Sequence, residues 1–270
     1  MRLYHRVFRS RIIRAVPYSK LHKRVSANAD LREIPGGWRF GLEAGGKGEY
    51  RLAQLDDYLS LNRSAFPHKP PFSLSLRARA AQSALAGTWG FGLWNDPFGL
   101  SLGFGAARGR LPTLPNAAWF FFASSESHLS LRDEQPGNGA LAAVYCSPHL
   151  PTVLLAPAVL IAPLLIAKPI SRIVRKLAAG LIRHKALQME IEPSAWHEYH
   201  ITWQETNVEF NVDGCPVFST SLVPRPPLGL VLWLDNQYAA WRPDGRFGTG
   251  TLTSPRDCWV EITDLQLSSH

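Results

Sequence analysis

Cysteine is scarce in this chain. Cys146, Cys215 and Cys258 are odd in number, widely spaced and without a C-x-x-C pair, so neither a disulfide framework nor a zinc site is expected, and a reducing compartment is. Charge is sparse as well: 19% of residues are charged against 46% hydrophobic, values of a globular chain. Acidic residues are missing altogether from two stretches. Residues 1–24 carry eight cations, and residues 168–185 carry Lys168, Arg172, Arg175, Lys176, Arg183 and Lys185. With those 14 set aside, 15 basic residues face 21 acidic ones, so the net charge of +8 belongs to two segments and the remainder is acidic. No RNP, zinc-finger or helix-turn-helix pattern accompanies the cations, which excludes a specific nucleic-acid partner; an anionic membrane surface suits them.

Long hydrophobic runs are missing too. The apolar stretch at residues 152–167 has no charge in 16 residues and is broken by Pro157 and Pro163. A helix of that length spans about 24 Å, short of a bilayer core of about 30 Å, so a simple spanning helix is excluded. No apolar run of signal-peptide length follows Arg14, and no secretion signal is expected; the predicted location is cytoplasmic, peripheral on the inner membrane face. HExxH, G-x-S-x-G and a phosphate-binding glycine loop are absent and the nine His are scattered, so no metal and no cofactor are expected.

What is present is strand and turn chemistry. Nine Trp, 21 Gly and 21 Pro favour many short strands over a helical bundle. Alternation marks strands at Trp38 to Glu43, Glu49 to Leu61, Phe72 to Ala80, Gly87 to Pro97, Ala117 to Ser125, residues 140–147 and Trp259 to Leu267. Between Trp196 and Tyr238, two alternating runs are followed by an Asp213-Gly214 turn, and a third run follows a Pro-rich stretch, predicting three antiparallel strands.

Within that stretch, Trp196, His197, Tyr199, Ile201, Trp203, Val208, Phe210, Val212, Asp213 and Gly214 resemble the laminarinase-type glycoside hydrolases of family 16, and more broadly the concanavalin-A-like lectin/glucanase jelly rolls. The resemblance implies an all-β, concanavalin-A-like jelly-roll β-sandwich. Residues 1–30 are then a basic N-terminal arm and 31–270 a single domain, interrupted by an apolar and basic helical insertion near 150–190. These positions are mainly core and turn, and fold alone does not carry a reaction. The family would place its catalytic E-x-D-x-x-E on the strand read here as AAWFFFASS, which has no carboxylate, and the motif occurs nowhere else. The family's retaining mechanism, which needs two carboxylates about 5 Å apart, is therefore not expected.

On the face opposite Leu230, Leu232 and Leu234, alternation places Trp233, Asp235 and Gln237. By the same reasoning Arg77, Arg79, Trp94, Asp96, Ala118, Phe120 and Phe122 are expected to line a concave groove, with Asp56, Asp57 and Tyr58 at its edge. Gly90 and Gly92 would leave its floor open to a ligand or to another backbone. Indole faces with carboxylate, amide and guanidinium groups suit a carbohydrate or an amphiphile. The competing readings are an acid/base enzyme using Asp96 and Asp235, and a structural or partner-binding protein whose groove its own side chains fill. In the insertion, Leu160, Ile161, Leu164, Leu165, Ile170, Ile173, Val174, Leu177 and Leu181 are candidate membrane contacts, the last five at helical spacing opposite Arg172, Arg175, Lys176 and Arg183. That stripe either packs on the sandwich with its cations in solvent, lies on a membrane, or meets a partner protein.

Overall fold

The computed structural model describes residues 21–97, 110–150 and 162–269. Sixteen strands and one α-helix form among them. In chain order they are β1 (His22–Val25), β2 (Ala29–Ile34), β3 (Gly37–Leu42), β4 (Leu52–Asp56), β5 (Phe72–Ala80), β6 (Thr88–Trp94), β7 (Ala117–Ala123), β8 (Gly139–Cys146), α1 (Lys168–Leu181), β9 (Arg183–Gln188), β10 (His197–Trp203), β11 (Val208–Val212), β12 (Cys215–Thr220), β13 (Gly229–Asp235), β14 (Gln237–Trp241), β15 (Phe247–Thr251) and β16 (Cys258–Ser269).

Two seven-stranded antiparallel sheets make the expected jelly-roll sandwich. The first has the order β1-β4-β13-β6-β7-β8-β9, the second β12-β11-β10-β5-β16-β3-β2, and β14 and β15 form a separate hairpin. The inner faces supply one core. Leu230, Leu232 and Leu234 of β13, Trp89, Phe91 and Leu93 of β6, and Ala118, Phe120 and Phe122 of β7 meet Leu74, Leu76, Tyr199, Ile201 and Val260 from the second sheet. Trp89 stacks on Phe122 at 3.7 Å between ring centroids, and Tyr199 meets Phe91 edge-on at 5.0 Å. Such contacts between aromatic rings fix the spacing of the sheets as well as burying area.

Several expectations change. The Trp196 to Tyr238 stretch holds β10, β11, β12, β13 and the start of β14 rather than three strands, and β13 crosses to the other sheet. The strand read over 49–61 is confined to Leu52–Asp56. Strand β1 begins inside the stretch read as an arm, and β9 lies inside the stretch read as a helical insertion. Leu160 and Ile161 fall outside the described residues.

Ala118, Phe120 and Phe122, expected in the groove, point into the inter-sheet core instead. Arg77 and Arg79 belong to β5 in the second sheet, so they stand on the far side of the sandwich from β13. There Arg79 pairs with Glu261 at 2.8 Å and lies over the rings of Trp196 and Trp259, while Arg77 lies over Trp196. Their partners are Glu261 and Asp264, and the indoles shield the guanidinium stems.

Candidate functional site

The outer face of the first sheet is built strand by strand. Antiparallel register sets Gln54 of β4 beside Trp233 of β13, Trp233 beside Gly90 of β6, and Gly90 beside Phe121 of β7. Trp119 stands opposite Gly92 and Ala143, and Tyr145 of β8 opposite His184 of β9. The result is an aromatic layer: Trp119 lies 5.6 Å from Trp233, 5.2 Å from Phe121, 5.8 Å from Tyr145 and 6.0 Å from Trp94. No carboxylate stands on either face of β7.

The floor is filled by its own indoles. A Cβ on Gly90 would lie 2.7 Å from the Trp233 ring and 2.4 Å from the Phe120 carbonyl oxygen. The alternating glycines therefore admit Trp233 and the neighbouring strand rather than a ligand. Trp233 and Trp119 are only 8% and 7% exposed, and Leu61, Leu129, Ile182 and Ala186 pack on the layer; Trp94, at its rim, is partly exposed.

The polar residues divide between the two ends of this face. At one end, Trp94 Nε1 donates to Tyr58 Oη at 2.7 Å, and Gln54 Nε2 donates to Asp56 Oδ2 at 2.9 Å. Asp56 Oδ1 accepts from the Leu59 amide; burial raises its carboxyl pKa against the lowering effect of those bonds. Asp57 accepts from the Leu230 amide and meets His68 at 2.6 Å. Asp96 pairs with Arg110 at 2.6 Å, and Arg110 also donates to the Tyr58, Leu59 and Leu61 carbonyls. Every carboxylate there closes a loop or ties two chain segments together.

Asp235 lies at the other end. Trp233 Nε1 donates to Thr88 Oγ1 at 3.0 Å, and Thr88 donates to Asp235 Oδ1 at 2.7 Å. Burial pushes the Asp235 carboxyl up to about 7. Gln237 has left the sheet; its backbone amide donates to Asp235 and its side chain to Thr249. Thr88 and Trp94 bound β6, so Asp235 and Asp96 are separated by about 20 Å or more at about 3.3 Å per residue. The two carboxylates of a glycosidase stand about 5 to 10 Å apart, so this pair does not make one.

A further layer covers the β8–β9 side of the same face. Loop residue Ser130 meets buried His184 at 2.9 Å, and Tyr145 stacks on the His184 ring. Burial, with Arg132 and Arg175 nearby, lowers the His184 pKa to about 4. Helix α1 sits outside this loop. Arg175 is its anchor: Nε donates to the Trp241 carbonyl at 3.0 Å, Nη2 to the Ser130 carbonyl at 3.1 Å, and Nη1 pairs with Asp133 at 2.7 Å. Trp241 Nε1 donates to Ser171 Oγ at 2.9 Å and Arg172 Nε to the Asp244 carbonyl at 2.9 Å. Gly245, at a positive φ of +84°, lets the β14–β15 turn approach the Lys168 carbonyl, 2.5 Å from where a Cβ would sit.

The helix thus docks by polar groups. Ser171 and Arg175 are buried, whereas Ile173 and Leu177 are 61% and 65% exposed, and Leu164, Ile166, Ile170 and Leu181 are exposed with them. Val174 is half-buried; Leu165, expected among the surface contacts, is buried and is not one. Sequence periodicity identified the stripe and set Arg175 opposite it, but not the buried, anchoring role of Arg175, nor Ser171, His184 or Trp241, whose roles depend on loop positions far along the chain. Among the described residues no helix is long and apolar enough to cross a membrane, and no three His, Cys, Asp or Glu side chains gather as a metal site.

No protein-family profile matches the chain, and no curated protein sequence matches it. Among solved structures it is similar to the catalytic domain of an endo-1,3-beta-glucanase (laminarinase) from Thermotoga petrophila, at 12% identity over 94% of this chain and 92% of that one, with a TM-score of 0.45. A GH16 protein of a Bacteroides ovatus mixed linkage glucan PUL, in complex with product, is similar at 8% identity over 95% and 98%, TM-score 0.49. The GlcNAcα1-4Gal releasing endo-β-galactosidase from Clostridium perfringens is similar at 9% identity over 94% of this chain and 59% of that one, TM-score 0.47.

Proposed function

We propose that this chain is a binding module that rests on an anionic membrane surface through α1, an amphipathic helix turned inside out relative to an ordinary surface helix. One observation carries the reading: α1 buries Ser171 and Arg175 against the sandwich and turns Ile170, Ile173, Leu177 and Leu181 to solvent. A surface helix of a globular protein does the reverse, because exposed aliphatic area costs about 25 cal/mol per Å². The same helix carries Lys168, Arg172, Arg175 and Lys176 and no acid, and Arg183 and Lys185 follow directly. Aliphatics flanked by cations suit insertion about 5 to 10 Å deep among anionic headgroups better than they suit an acidic protein partner, which would leave the aliphatic row unmatched.

Co-sedimentation with phosphatidylcholine vesicles holding 30% phosphatidylserine tests it. Leu177→Ser is expected to weaken association about tenfold, from roughly 1.5 kcal/mol for a leucine withdrawn from the apolar phase. Unchanged association of Ile173→Ser/Leu177→Ser would refute the reading.

A carbohydrate or amphiphilic ligand is the second part of the proposal, favoured by the partly exposed indole of Trp94 at the rim of an otherwise closed aromatic layer. Ligand would stack at that rim rather than on Trp233. Trp94→Ala should abolish saturable binding of a β-glucan oligosaccharide, and a wild-type protein that binds no glycan or amphiphile would remove this part. Hydrolysis through Asp96 and Asp235 is not proposed, given their separation.

A further inference from the structure

A cleft of ≈ 530 Å³ opens between α1 and the loop that follows Leu131, with Arg132, Asp133, Glu134, Arg172, Arg175 and Lys176 on its walls. Its charges are unequally matched. Asp133 is held by Arg175 at 2.7 Å, and Glu134 lies 3.6 Å from Arg132. Among the described residues Arg172 donates only through Nε, to the Asp244 carbonyl, and Lys176 makes no ion pair. Arg172 and Lys176 are four residues apart on α1, so two like charges share one rim, an arrangement that is unfavourable unless an anion lies between them.

Lys176 is followed by Leu177, and Arg172 by Ile173, so each of these two cations borders the exposed aliphatic row. A helix seated with that row among acyl chains holds Arg172 and Lys176 at the level of lipid phosphates. We propose that this cleft is a phosphate site that takes the phosphomonoester headgroup of an anionic lipid, Arg172 offering its terminal guanidinium nitrogens as a fork and Lys176 a point charge. Arg175, fixed by three partners, holds the wall in place. The inference rests on the membrane reading above and adds selectivity to it.

The test compares vesicles of phosphatidic acid in phosphatidylcholine with phosphatidylserine vesicles matched in surface potential, using the full chain. Wild type should prefer phosphatidic acid at least about fivefold, and Arg172→Gln/Lys176→Gln should bind about 30-fold more weakly to it, at roughly fivefold per cation, with the preference gone. Ile173→Ser/Leu177→Ser should weaken binding to both vesicles and keep the preference. Equal binding of wild type to both, or a preference that survives Arg172→Gln/Lys176→Gln, overturns the phosphate site and leaves membrane docking standing. If no vesicle binds, docking fails, and calorimetry with glycerol 3-phosphate then decides the site alone. Heat of binding to wild type but not to Arg172→Gln/Lys176→Gln sustains it; no heat with wild type overturns it.

Discussion

Asp235 and His184 stand on one sheet face, and burial shifts their pKa values in opposite directions. Asp235 keeps its proton to about pH 7 in the folded chain, against an ordinary 3.8, because burial disfavours the carboxylate. The folded state therefore holds more protons than the unfolded one between about pH 4 and 7, and stability falls as pH rises through that window, by at most about 4 kcal/mol. His184 behaves oppositely. Its folded pKa is lowered from 6.5 to about 4, so the unfolded state binds the extra proton and stability rises with pH between about 4 and 6.5, by at most about 3 kcal/mol. Asp235→Asn keeps an acceptor for Thr88 and removes the buried acid. The variant should gain on wild type steadily from pH 4 to 7 in urea unfolding midpoints, exposing the His184 slope. A variant-minus-wild-type difference that is flat with pH would show that Asp235 is ionised throughout.

Gly90 is the other residue whose role is local and measurable. Ala at this position meets both the Trp233 ring and the Phe120 carbonyl, and Gly90→Ala should cost about 2 to 3 kcal/mol in unfolding free energy. A loss below about 0.5 kcal/mol would mean that the indole moves aside freely. Alternation in the sequence placed the glycines and indoles on one face correctly, and Leu230, Leu232 and Leu234 on the other. It did not say that the space above glycine was already taken by Trp233, because a two-residue period reports direction and not distance.

At the scale of elements, strands were legible where one face was polar and obscure where both were apolar. AAWFFFASS reads as a strand, yet Phe120 and Phe121 are equally apolar, so nothing in the run says that Trp119 and Phe121 face outward and Phe120 inward; pairing with β6 and β8 decides it. Strand β12 was missed because Pro216 and a run of small polar residues weaken its pattern, and it survives as a sheet edge, where proline is tolerated. Helix α1 was found by its period, but its orientation is set by Arg175. A helix of 14 residues is marginal alone, and this one has no side-chain cap at Ala167. Arg175→Ala removes the donor to two carbonyls and the partner of Asp133, and should loosen the docked helix by about 3 kcal/mol. Hydrogen exchange is the measurement: α1 amides should lose protection while β7 and β13 keep theirs. Protection of α1 equal to wild type would show that Arg175 does not hold it.

On the scale of the whole molecule, sheet order was the information that the sequence withheld. Arg77 and Arg79 alternate as cleanly as Trp94 and Asp96, but which sheet a strand joins depends on partners far away in the chain, and β5 lies between β10 and β16. The resulting layers run from the second sheet through the first, then the loop carrying Ser130, then α1. The second sheet's outer face, with Arg79, Glu261 and Trp259, is thereby turned away from the helix. If α1 is the membrane contact, the sandwich stands off the bilayer with its second sheet toward water, an orientation that the chain's acidic remainder reinforces by repulsion from anionic lipid. Cys215 reports on it: it is exposed on β12 of the second sheet, whereas Cys146 and Cys258 are buried. Maleimide should label Cys215 at the same rate with and without phosphatidylserine vesicles, while the added thiol of Leu177→Cys should be protected once vesicles bind. Protection of Cys215 equal to that at position 177 would mean that the molecule meets the membrane by another face, and α1 would lose its assigned role even if the protein still sedimented with lipid.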